Sequence, residues 1–267
     1  MPELPEVETV RRELSRWLPG RVIRAARRVD APAGPKYADL ERASGQRIEA
    51  VCRRGKFLLA PLSKGDELVV HLGMTGVISR DDPKTHVRAC LELDRGRLFF
   101  QDVRRFGRFL VVRAGVYDAL PTLRDLGPEP LEPGFSVEAF RERLQRRKTS
   151  VKAAIMSQRA VAGVGNIYTD EALWRARVHP ETEAGRIGTR RLAALRDAIV
   201  EVLTASLEQG GTTVRDYRNV AGERGRYVER LAVYGREGLP CLRCGTAIRR
   251  IVVAQRGTWL CPRCQRA

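Results

Sequence analysis

Four cysteines near the end of the 267-residue chain constrain its fold more than any other feature. Cys241 and Cys244 form one CxxC pair, and after sixteen intervening residues Cys261 and Cys264 form a second. Two such pairs at this spacing can place four thiolates tetrahedrally around one Zn²⁺. A pair of disulfides would need an oxidising compartment, which a chain without a signal peptide is not expected to enter. The pattern therefore predicts a structural zinc site with no position left for a reactive water.

The charge balance indicates a polyanionic partner. Lys and Arg number 49 against 32 Asp and Glu, and residues 241–267 hold six arginines and no Asp or Glu. No apolar run approaches the roughly 20 residues of a spanning helix, and acidic residues occupy the place of a signal peptide. We therefore expect a nucleic-acid-binding monomer in the cytoplasm, associated with the nucleoid if prokaryotic. Four further residues are interpreted as structural, the two cysteines as buried packing residues: Cys52, Cys90, His71 and His179.

The first eight residues, Met1-Pro-Glu-Leu-Pro-Glu-Val-Glu8, hold a second chemical signal. Pro2 is small enough for Met1 to be removed, which would leave a secondary amine at the N-terminus. A free α-amino group has a pKa of roughly 7.7–8.0, so part of it is neutral near pH 7. Its attack on a sugar carbon gives an iminium ion. Glu3 and Glu6 would stand beside it as acid or base at a helix N-terminus, although chance explains the motif better when it is taken alone.

Apolar spacing predicts one helix from Pro5 to Leu18, ended by Pro19-Gly20. Short runs rich in β-branched and aromatic residues follow, and Asp94-Arg-Gly96 is typical of a hairpin turn. Because no long helix separates these runs, we expect an antiparallel sandwich or barrel. The predicted strands are Val22–Val29, Ile48–Leu59, Glu67–Leu72, Ala89–Leu93, Arg97–Gln101 and Phe109–Arg113.

Three prolines and two glycines within residues 127–134 are typical of an interdomain linker. Beyond it the hydrophobic period is helical, and the clearest helix ends at Gly210-Gly211. We expect an α+β fold with four parts: a β-sandwich with a flanking helix over 1–127, a linker over 128–135, a helical domain over 136–235 and a zinc-finger β-hairpin over 236–267. The predicted helices are Val137–Arg147, Ser150–Gln158, Asn166–Ala176 and Thr189–Gln209.

Seven blocks run in order along the whole chain: Pro2–Glu8, Arg53–Phe57, His71–Thr75, Arg104–Gly107, Gly163–Tyr168 with Asp170-Glu171, Tyr234–Arg236 and Gln255-Arg256. Together they resemble the formamidopyrimidine-DNA glycosylase family, bifunctional enzymes that remove 8-oxoguanine and ring-opened purines from duplex DNA. The resemblance implies a helix–two-turn–helix element in the helical domain. It also implies one structural Zn²⁺ as cofactor and damaged double-stranded DNA as partner.

The resemblance implies a covalent mechanism. Pro2 would attack C1′ of the damaged nucleoside, and Glu3 would protonate the sugar ring oxygen, with Glu6 in support. Lys56 would contact the phosphate near the lesion and assist elimination, and Arg256 would complete the catalytic set. Because the iminium ion acidifies the C2′ proton, β- and δ-elimination can cleave the strand without a metal.

A base inside a duplex must be flipped out before such chemistry, and the hole must be filled. The resemblance places Met74, Arg104 and Phe106 at this wedge. The apolar pair would replace lost stacking, while Arg104 would donate to the orphaned cytosine. The chain departs from the family by carrying Val103 where Pro is frequent. His86 matches a phosphate-contacting region whose spacing is shorter here.

The helical domain and the zinc hairpin would contact the DNA backbone. We expect Asn166 to cap the next helix, whose N-terminus would face a phosphate, and Arg256 to hold the same phosphate. The segment over 212–226 corresponds to a loop that closes over the flipped base. Arg147 stands where relatives often carry Lys, which alters the contact geometry. The DNA-binding residues implied in this part are Arg147, Lys152, Asn166, Glu171 and Arg215.

Two alternatives stay open at this point. An oxidised-pyrimidine glycosylase of the same superfamily would share Pro2-Glu3 and the zinc finger, although Leu4 and the wedge blocks favour the purine branch. A zinc-ribbon DNA-binding damage sensor without catalysis would fit the composition. That alternative leaves Pro2, Glu3 and Lys56 unexplained, and borohydride trapping would separate it from an iminium-forming enzyme.

Overall fold

The protein is described here by a computed structural model that covers residues 1–214 and 217–266. Its internal contacts divide the chain into two compact units. Unit 1 comprises Met1–Arg124 and Gln209–Arg226, and unit 2 comprises Asp125–Glu208 and Tyr227–Ala267. The sequence pattern grouped residues 209–226 with the helical domain. They lie with unit 1 because three of their residues bond to its first helix: Thr212, Tyr217 and Val220.

Helix α1 (Leu4–Leu14) opens unit 1 and buries its predicted apolar face, on which Val7, Val10 and Leu14 are at most 2% exposed. It begins at Leu4 with a proline in its first turn, as the sequence predicts. It ends at Leu14, four residues earlier than expected. There the Ser15 N–H donates to the carbonyl oxygen of Arg11, and the chain goes on as turns that still bury Leu18.

Eight strands form two antiparallel sheets in unit 1, with the orders β1-β6-β7-β5 and β2-β3-β4-β8. Their bounds are β1 Ile23–Arg28, β2 Cys52–Arg54, β3 Phe57–Pro61, β4 Asp66–His71, β5 Gly76–Ser79, β6 Val87–Leu93, β7 Arg97–Asp102 and β8 Arg108–Arg113. Leu58 and Val70 of one sheet share a buried core with Leu91 and Phe100 of the other. This confirms the expected sandwich, and β6 and β7 form the predicted hairpin. A short helix, α2 (Pro121–Arg124), ends the first part of unit 1.

The predicted strand Ile48–Leu59 is two strands, because Gly55 turns the chain at a φ of 55° between β2 and β3. The prediction that Cys52 is a buried packing residue is wrong, since Cys52 is exposed. Strand β2 lies at the edge of its sheet and pairs only with β3 among the described strands. Cys90 is buried as expected, and burial raises the pKa of its thiol.

Unit 2 contains helices α3 Val137–Leu144, α4 Val151–Met156, α5 Asn166–Arg175 and α6 Thr189–Glu208, each within three residues of its predicted ends. Ser136 and Ser150 cap α3 and α4 by accepting a backbone N–H three residues on. A hairpin of β9 (Arg249–Val253) and β10 (Arg256–Leu260) follows. Among the described residues, no helix has the length and hydropathy to span a bilayer.

Candidate active site and nucleic-acid interface

The N-terminus of α1 buries the residues predicted to carry the chemistry. Pro2 is buried, and Glu3 and Glu6 are 2% and 1% exposed. The two glutamates form a reciprocal capping box, in which the Glu3 backbone N–H donates to Glu6 Oε2 at 2.7 Å. Met1 precedes Pro2 and makes its nitrogen an amide nitrogen, so a nucleophilic amine requires removal of Met1. The sequence thus places an acid and a latent amine at one helix end.

Glu6 also ties this helix end to the segment over 211–217. Its second oxygen accepts the Thr212 N–H at 2.6 Å, and its backbone oxygen accepts the Tyr217 hydroxyl at 3.2 Å. Gly211 has a φ of 90°, and a Cβ there would lie 2.8 Å from Glu6 Oε1, so only glycine fits. One buried carboxylate therefore positions both the Glu3 backbone and the first residues of the loop expected to close over the lesion.

Lys56 lies in the turn between β2 and β3 and is 6% exposed. The next residue, Phe57, pairs in register with His71, and the two rings are 4.7 Å apart. Burial, with the nearby positive charges of Lys56 and Arg108, lowers the pKa of His71 to about 4. His71 is therefore neutral at physiological pH, and its Nδ1 accepts the Gly73 N–H at 3.2 Å. This supports the structural role expected for His71.

The predicted wedge residues lie on two loops of unit 1 and reach solvent. Met74 is 38% exposed and Phe106 is 49% exposed, whereas the other six phenylalanines are buried. The Arg104 guanidinium stacks on the Phe106 ring at 4.8 Å from its centroid. Val103, beside them, is 53% exposed. These side chains form an apolar and cationic projection that a folded core does not need.

Asp102, which is fully buried, joins the two wedge loops. One carboxylate oxygen accepts the Thr75 hydroxyl at 2.5 Å, and the other accepts the Gly107 N–H at 2.7 Å. Thr75 in turn accepts the Arg104 N–H at 3.1 Å. A Cβ on Gly73, whose φ is 64°, would lie 2.5 Å from the Gly107 nitrogen. The loops are thus fixed by one carboxylate and by a glycine that allows backbone contact.

In unit 2, strand β10, which begins at Arg256, is hydrogen-bonded to side chains of helices α4 and α5. The Lys152 ammonium is fully buried, pairs with Asp170 at 2.6 Å and donates to the Thr258 hydroxyl at 2.8 Å. The other Asp170 oxygen accepts the Trp259 N–H at 3.0 Å. Burial raises the pKa of Asp170 to about 7, against the opposing effect of the Lys152 charge. Lys152 therefore faces the protein interior in this structure.

Asn166 has a different local role from the one expected. Gly165 is the N-cap of α5, and Asn166 is the first residue of the helix, so the prediction that Asn166 caps it is wrong. Its Nδ2 donates to the Gly257 carbonyl oxygen at 3.0 Å. This bond places the helix N-terminus beside the residue that follows Arg256. Asn166 thus contacts the backbone of the residue next to Arg256, and the shared phosphate stays a prediction.

Glu171, also fully buried, collects three backbone N–H groups. It accepts from Ala232, Val233 and Tyr234 at 2.8–2.9 Å. Burial raises the pKa of Glu171, and these three bonds oppose the rise. The carboxylate of Glu171 therefore holds the segment at Ala232–Tyr234 in place. A role of Glu171 in DNA binding would be indirect, through the position of that segment.

The remaining predicted DNA contacts vary in setting. Arg256 is exposed at the hairpin tip, where Ala254 and Gln255 have φ of 49° and 60°. Arg147 is half-buried, and its Nε donates to the Arg143 carbonyl oxygen at 2.8 Å. His86 is exposed, with a φ of 56°. Arg215 lies outside the described residues.

The four cysteines predicted to bind zinc meet in unit 2, with their sulfur atoms within 4.8 Å of one another. The separations Cys241–Cys264, Cys244–Cys261 and Cys244–Cys264 are 3.9, 3.5 and 3.5 Å. A tetrahedron with Zn–S bonds of about 2.3 Å has sulfur atoms about 3.8 Å apart, whereas a disulfide needs about 2.05 Å. The geometry fits one closed structural zinc site. Hydrogen bonds from Thr246 lower the pKa of Cys244 to about 6, which favours the thiolate form that binds metal.

Comparison with known proteins agrees with this geometry. Family models match residues 1–109 (formamidopyrimidine-DNA glycosylase N-terminal domain), 126–218 (its H2TH domain) and 238–267 (zinc finger found in FPG and IleRS). The Thermus thermophilus formamidopyrimidine-DNA glycosylase is 48% identical over 99% of this chain and 98% of its own. The chain belongs to the formamidopyrimidine-DNA glycosylase family. It is therefore a DNA glycosylase of base-excision repair with one structural zinc, as the sequence predicts.

Solved structures of formamidopyrimidine-DNA glycosylases share the fold. The crystal structure of the Thermus thermophilus protein gives a TM-score of 0.92 at 47% identity, covering 99% of this chain and 98% of that one. A Lactococcus lactis Fpg mutant in complex with a Fapy-dG containing DNA gives 0.88 at 35% identity with full coverage of both chains. A MutM structure with carbocyclic 8-oxo-G containing DNA gives 0.88 at 36% identity, also with full coverage.

Sequence reasoning missed the residues that hold the glycosylase site together. Asp102 and Asp170 organise the wedge loops and the hairpin, and Glu13 accepts the Val220 and Ala221 N–H groups at 2.8 and 3.2 Å. Asp170 stands next to Glu171 in a block that the resemblance already marked. Asp170 could have been found because it is an acidic residue on a helix that is buried on all sides. A buried acidic residue must have a hydrogen-bond or charge partner.

Proposed function

We propose that this glycosylase removes oxidised purines through a Schiff base formed by Pro2 once Met1 has been removed. The Pro2 nitrogen attacks C1′ of the damaged nucleoside while Glu3 protonates the sugar ring oxygen. The C1′–N bond to the base breaks and the base leaves. The C1′–O4′ bond then breaks as the ring oxygen takes the proton of Glu3, and the Pro2 nitrogen, which has lost its own proton, forms the iminium ion with C1′. The buried juxtaposition of Pro2, Glu3 and Glu6 carries this proposal, because it holds a carboxyl group one residue from the nitrogen that removal of Met1 would expose.

Strand cleavage follows from the same intermediate. The iminium ion acidifies the C2′ hydrogen, so a base can remove it and the 3′ phosphate leaves by β-elimination. A second elimination expels the 5′ phosphate and leaves a one-nucleotide gap. We place Lys56, buried in the adjacent turn, beside the leaving phosphate, where its charge would stabilise the departing oxygen. No step needs zinc, whose four thiolate ligands fill its coordination shell.

We propose that damaged duplex DNA is engaged by both units. The exposed Met74, Phe106 and Arg104 would fill the space left by the flipped base and donate to the orphaned cytosine. In unit 2, the N-terminus of α5 with Asn166 and Arg256 would hold the backbone phosphate. The lesions bound in the related complexes, Fapy-dG and 8-oxo-G, are the substrates we assign to this protein. A monomer in the bacterial cytoplasm fits this activity.

Lys152 and Glu171 act, in this proposal, as positioning residues. Their charged groups are buried and bonded to protein atoms. Each fixes a segment near the predicted phosphate site and does not touch DNA itself.

The test is incubation with duplex DNA holding 8-oxoguanine opposite cytosine, with and without borohydride. Wild type should excise the base, cleave the strand and become covalently trapped on reduction. Glu3→Gln should lose base excision yet keep most cleavage at a preformed abasic site, where an aldehyde already presents the electrophile. Equal loss of both activities would contradict the role given to Glu3, and absence of trapping in wild type would contradict the Schiff base.

A further inference from the structure

Unit 2 carries a cluster of arginines that the glycosylase mechanism does not use. Two adjoining clefts of about 410 and 420 Å³ share Arg177, Arg263, Cys264 and Arg266 in their walls. One cleft is completed by Arg243 and Cys244, and the other by Ala176, Arg190, Arg191 and Ala194. Among the described residues, no acidic side chain lines either cleft. We call these two clefts together the arginine cleft.

The arginine cleft lies at the opposite end of helix α5 from the predicted phosphate site. Helix α5 begins at Asn166 and ends at Arg175, a length of about 15 Å at 1.5 Å per residue. Arg243 donates to the carbonyl oxygens of Trp174 and Arg175 at that second end. Strand β10 likewise runs about 16 Å from Arg256 toward Cys261. Two independent elements therefore separate the cleft from Asn166 and Arg256.

Structural needs explain only part of this charge. Arg243 stacks on Trp174 at 4.0 Å, and Arg263 lies between two zinc ligands, so both can balance the negative zinc tetrathiolate. Arg177, Arg190 and Arg191 lie on other segments and are exposed. Within the part of the chain that the structure describes, none of these three forms a salt bridge. Three guanidinium groups are thus available to a ligand.

The placement of Arg190 and Arg191 opposes the preference of the helix. They occupy the first turn of α6, which has no acidic residue. A helix N-terminus carries partial positive charge, so cations there are destabilising. Two arginines at this position therefore cost stability unless an anion offsets them.

We propose that the arginine cleft binds the phosphate backbone of a second DNA segment, independently of sequence and of the lesion. Guanidinium groups match phosphate bidentately. A protein partner is less suited, because the described lining offers only Ala176 and Ala194 as apolar side chains and includes no aromatic anchor. The protein would hold a second duplex while the first occupies the repair site, which would permit transfer between segments.

The test uses the full-length zinc-loaded protein, first saturated with a duplex containing a tetrahydrofuran abasic analogue. A labelled undamaged duplex is then titrated, and energy transfer between labels on the two duplexes reports their joint binding. The test variant is Arg177→Gln with Arg190→Gln and Arg191→Gln. The matched control, Arg24→Gln with Arg95→Gln and Arg97→Gln, removes the same charge from exposed positions of unit 1.

Wild type should bind the second duplex, and the test variant should bind it at least tenfold more weakly at about 50 mM salt. In a plot of the logarithm of the second-duplex binding constant against the logarithm of salt concentration, the magnitude of the slope should decrease by about 2 to 3. Each lost phosphate contact removes roughly 0.9 from that magnitude. The control should change second-duplex affinity less than threefold. Zinc content and excision of 8-oxoguanine should be unchanged in both.

The proposal would be overturned if the test variant and the control lost the same amount of affinity for the second duplex. It would also be overturned if the wild-type protein bound no second duplex. Binding of poly-glutamate in place of the duplex would identify an acidic protein as the ligand and also overturn it. If the triple variant loses zinc, Arg190→Glu with Arg191→Glu tests the same surface from α6. First-duplex affinity and excision are measured separately, so failure of the glycosylase proposal is distinguishable from failure of this one.

Discussion

The two units hold their functional segments by buried carboxylates, but they depend on them to different degrees. In unit 1, Glu6 and Asp102 each fix a local loop on a sandwich that has its own large apolar core. In unit 2, the adjacent Asp170 and Glu171 of one helix hold two segments remote in sequence. One of these segments is strand β10 of the β9–β10 hairpin, and the zinc site holds the base of that hairpin.

This difference between the units predicts which property each substitution of a buried carboxylate or zinc ligand should impair. Consecutive helix residues point about 100° apart, so one turn of α5 can organise two segments at once. In unit 2 the hairpin and the segment at Ala232–Tyr234 therefore rely on two buried acids and a metal for their order, and loss of these groups should impair stability and DNA binding together. Loss of Glu6 should impair the chemistry of unit 1 and leave its sandwich folded.

Loss of zinc should give the largest effect. Cys244→Ser should release the metal and disorder the hairpin that presents Arg256, with DNA affinity falling at least a hundredfold, because metal binding supplies folding free energy of about 10 kcal/mol or more. Elemental analysis and DNA titration check this. Cys52→Ser, at an exposed cysteine outside the cluster, is the control and should behave as wild type. Wild-type DNA affinity in a zinc-free Cys244→Ser protein would contradict the structural site.

Lys152→Met should come next. It leaves the Asp170 carboxylate buried without its cation, which costs about 3–5 kcal/mol of unfolding free energy. Adding Asp170→Asn should recover part of that loss. Urea unfolding measures both variants. The salt dependence of DNA binding should be unchanged under conditions where the variant is folded, whereas a slope lowered by about 0.9 would show a direct phosphate contact.

A smaller effect on stability is expected at the other unit. Glu6→Gln should lower the unfolding free energy by about 1–3 kcal/mol, because two N–H groups lose a charged acceptor. Base excision should fall about tenfold to a hundredfold, since Glu3 and residues near Thr212 lose their position. Glu13→Gln, on the same helix and against the same loop, should cost much less activity. Equal losses would show that the loop, not the position of Glu3, limits the reaction.

The smallest effect concerns pH. His71 has a folded pKa of about 4, below its ordinary value of about 6.5, so the unfolded chain takes up the proton first as the pH falls. Stability from His71 is present above pH 6.5 and is lost toward pH 4, by about 1 kcal/mol between pH 7.5 and 5.5. Urea unfolding of wild type and His71→Gln at the two pH values checks it. An identical pH dependence in both proteins would contradict a neutral, buried His71.

Periodicity and composition predicted much of the fold, because sandwich strands and amphipathic helices leave local patterns. The end of α1 was missed because Trp17 and Leu18 continue its apolar period, and the turn at Gly55 was missed although a glycine among three basic residues interrupts the apolar run there. Strand β5 was missed because Gly76–Ser79 is only four residues long. Zinc ligands were predictable from spacing alone.

Site residues were predictable only where neighbouring residues in the sequence form a recognisable motif, as at Pro2-Glu3. Asp102, Asp170 and Glu13 bond to groups remote in sequence, and no local pattern names a partner 89 residues away, as between Asp170 and Trp259. The burial of Lys152 was hidden for the same reason. A lysine at the start of a helix has the same sequence pattern whether it faces DNA or a buried carboxylate.

The most direct test of the central claim is to identify the residue that becomes attached to DNA. Borohydride-trapped protein is digested with trypsin, and the peptide that carries the nucleotide remnant is sequenced by mass spectrometry. We expect a peptide from Pro2 to Arg11 without Met1, modified on the Pro2 nitrogen. An adduct on Lys56 or any other lysine, or on a chain that keeps Met1, would contradict the Schiff base at Pro2.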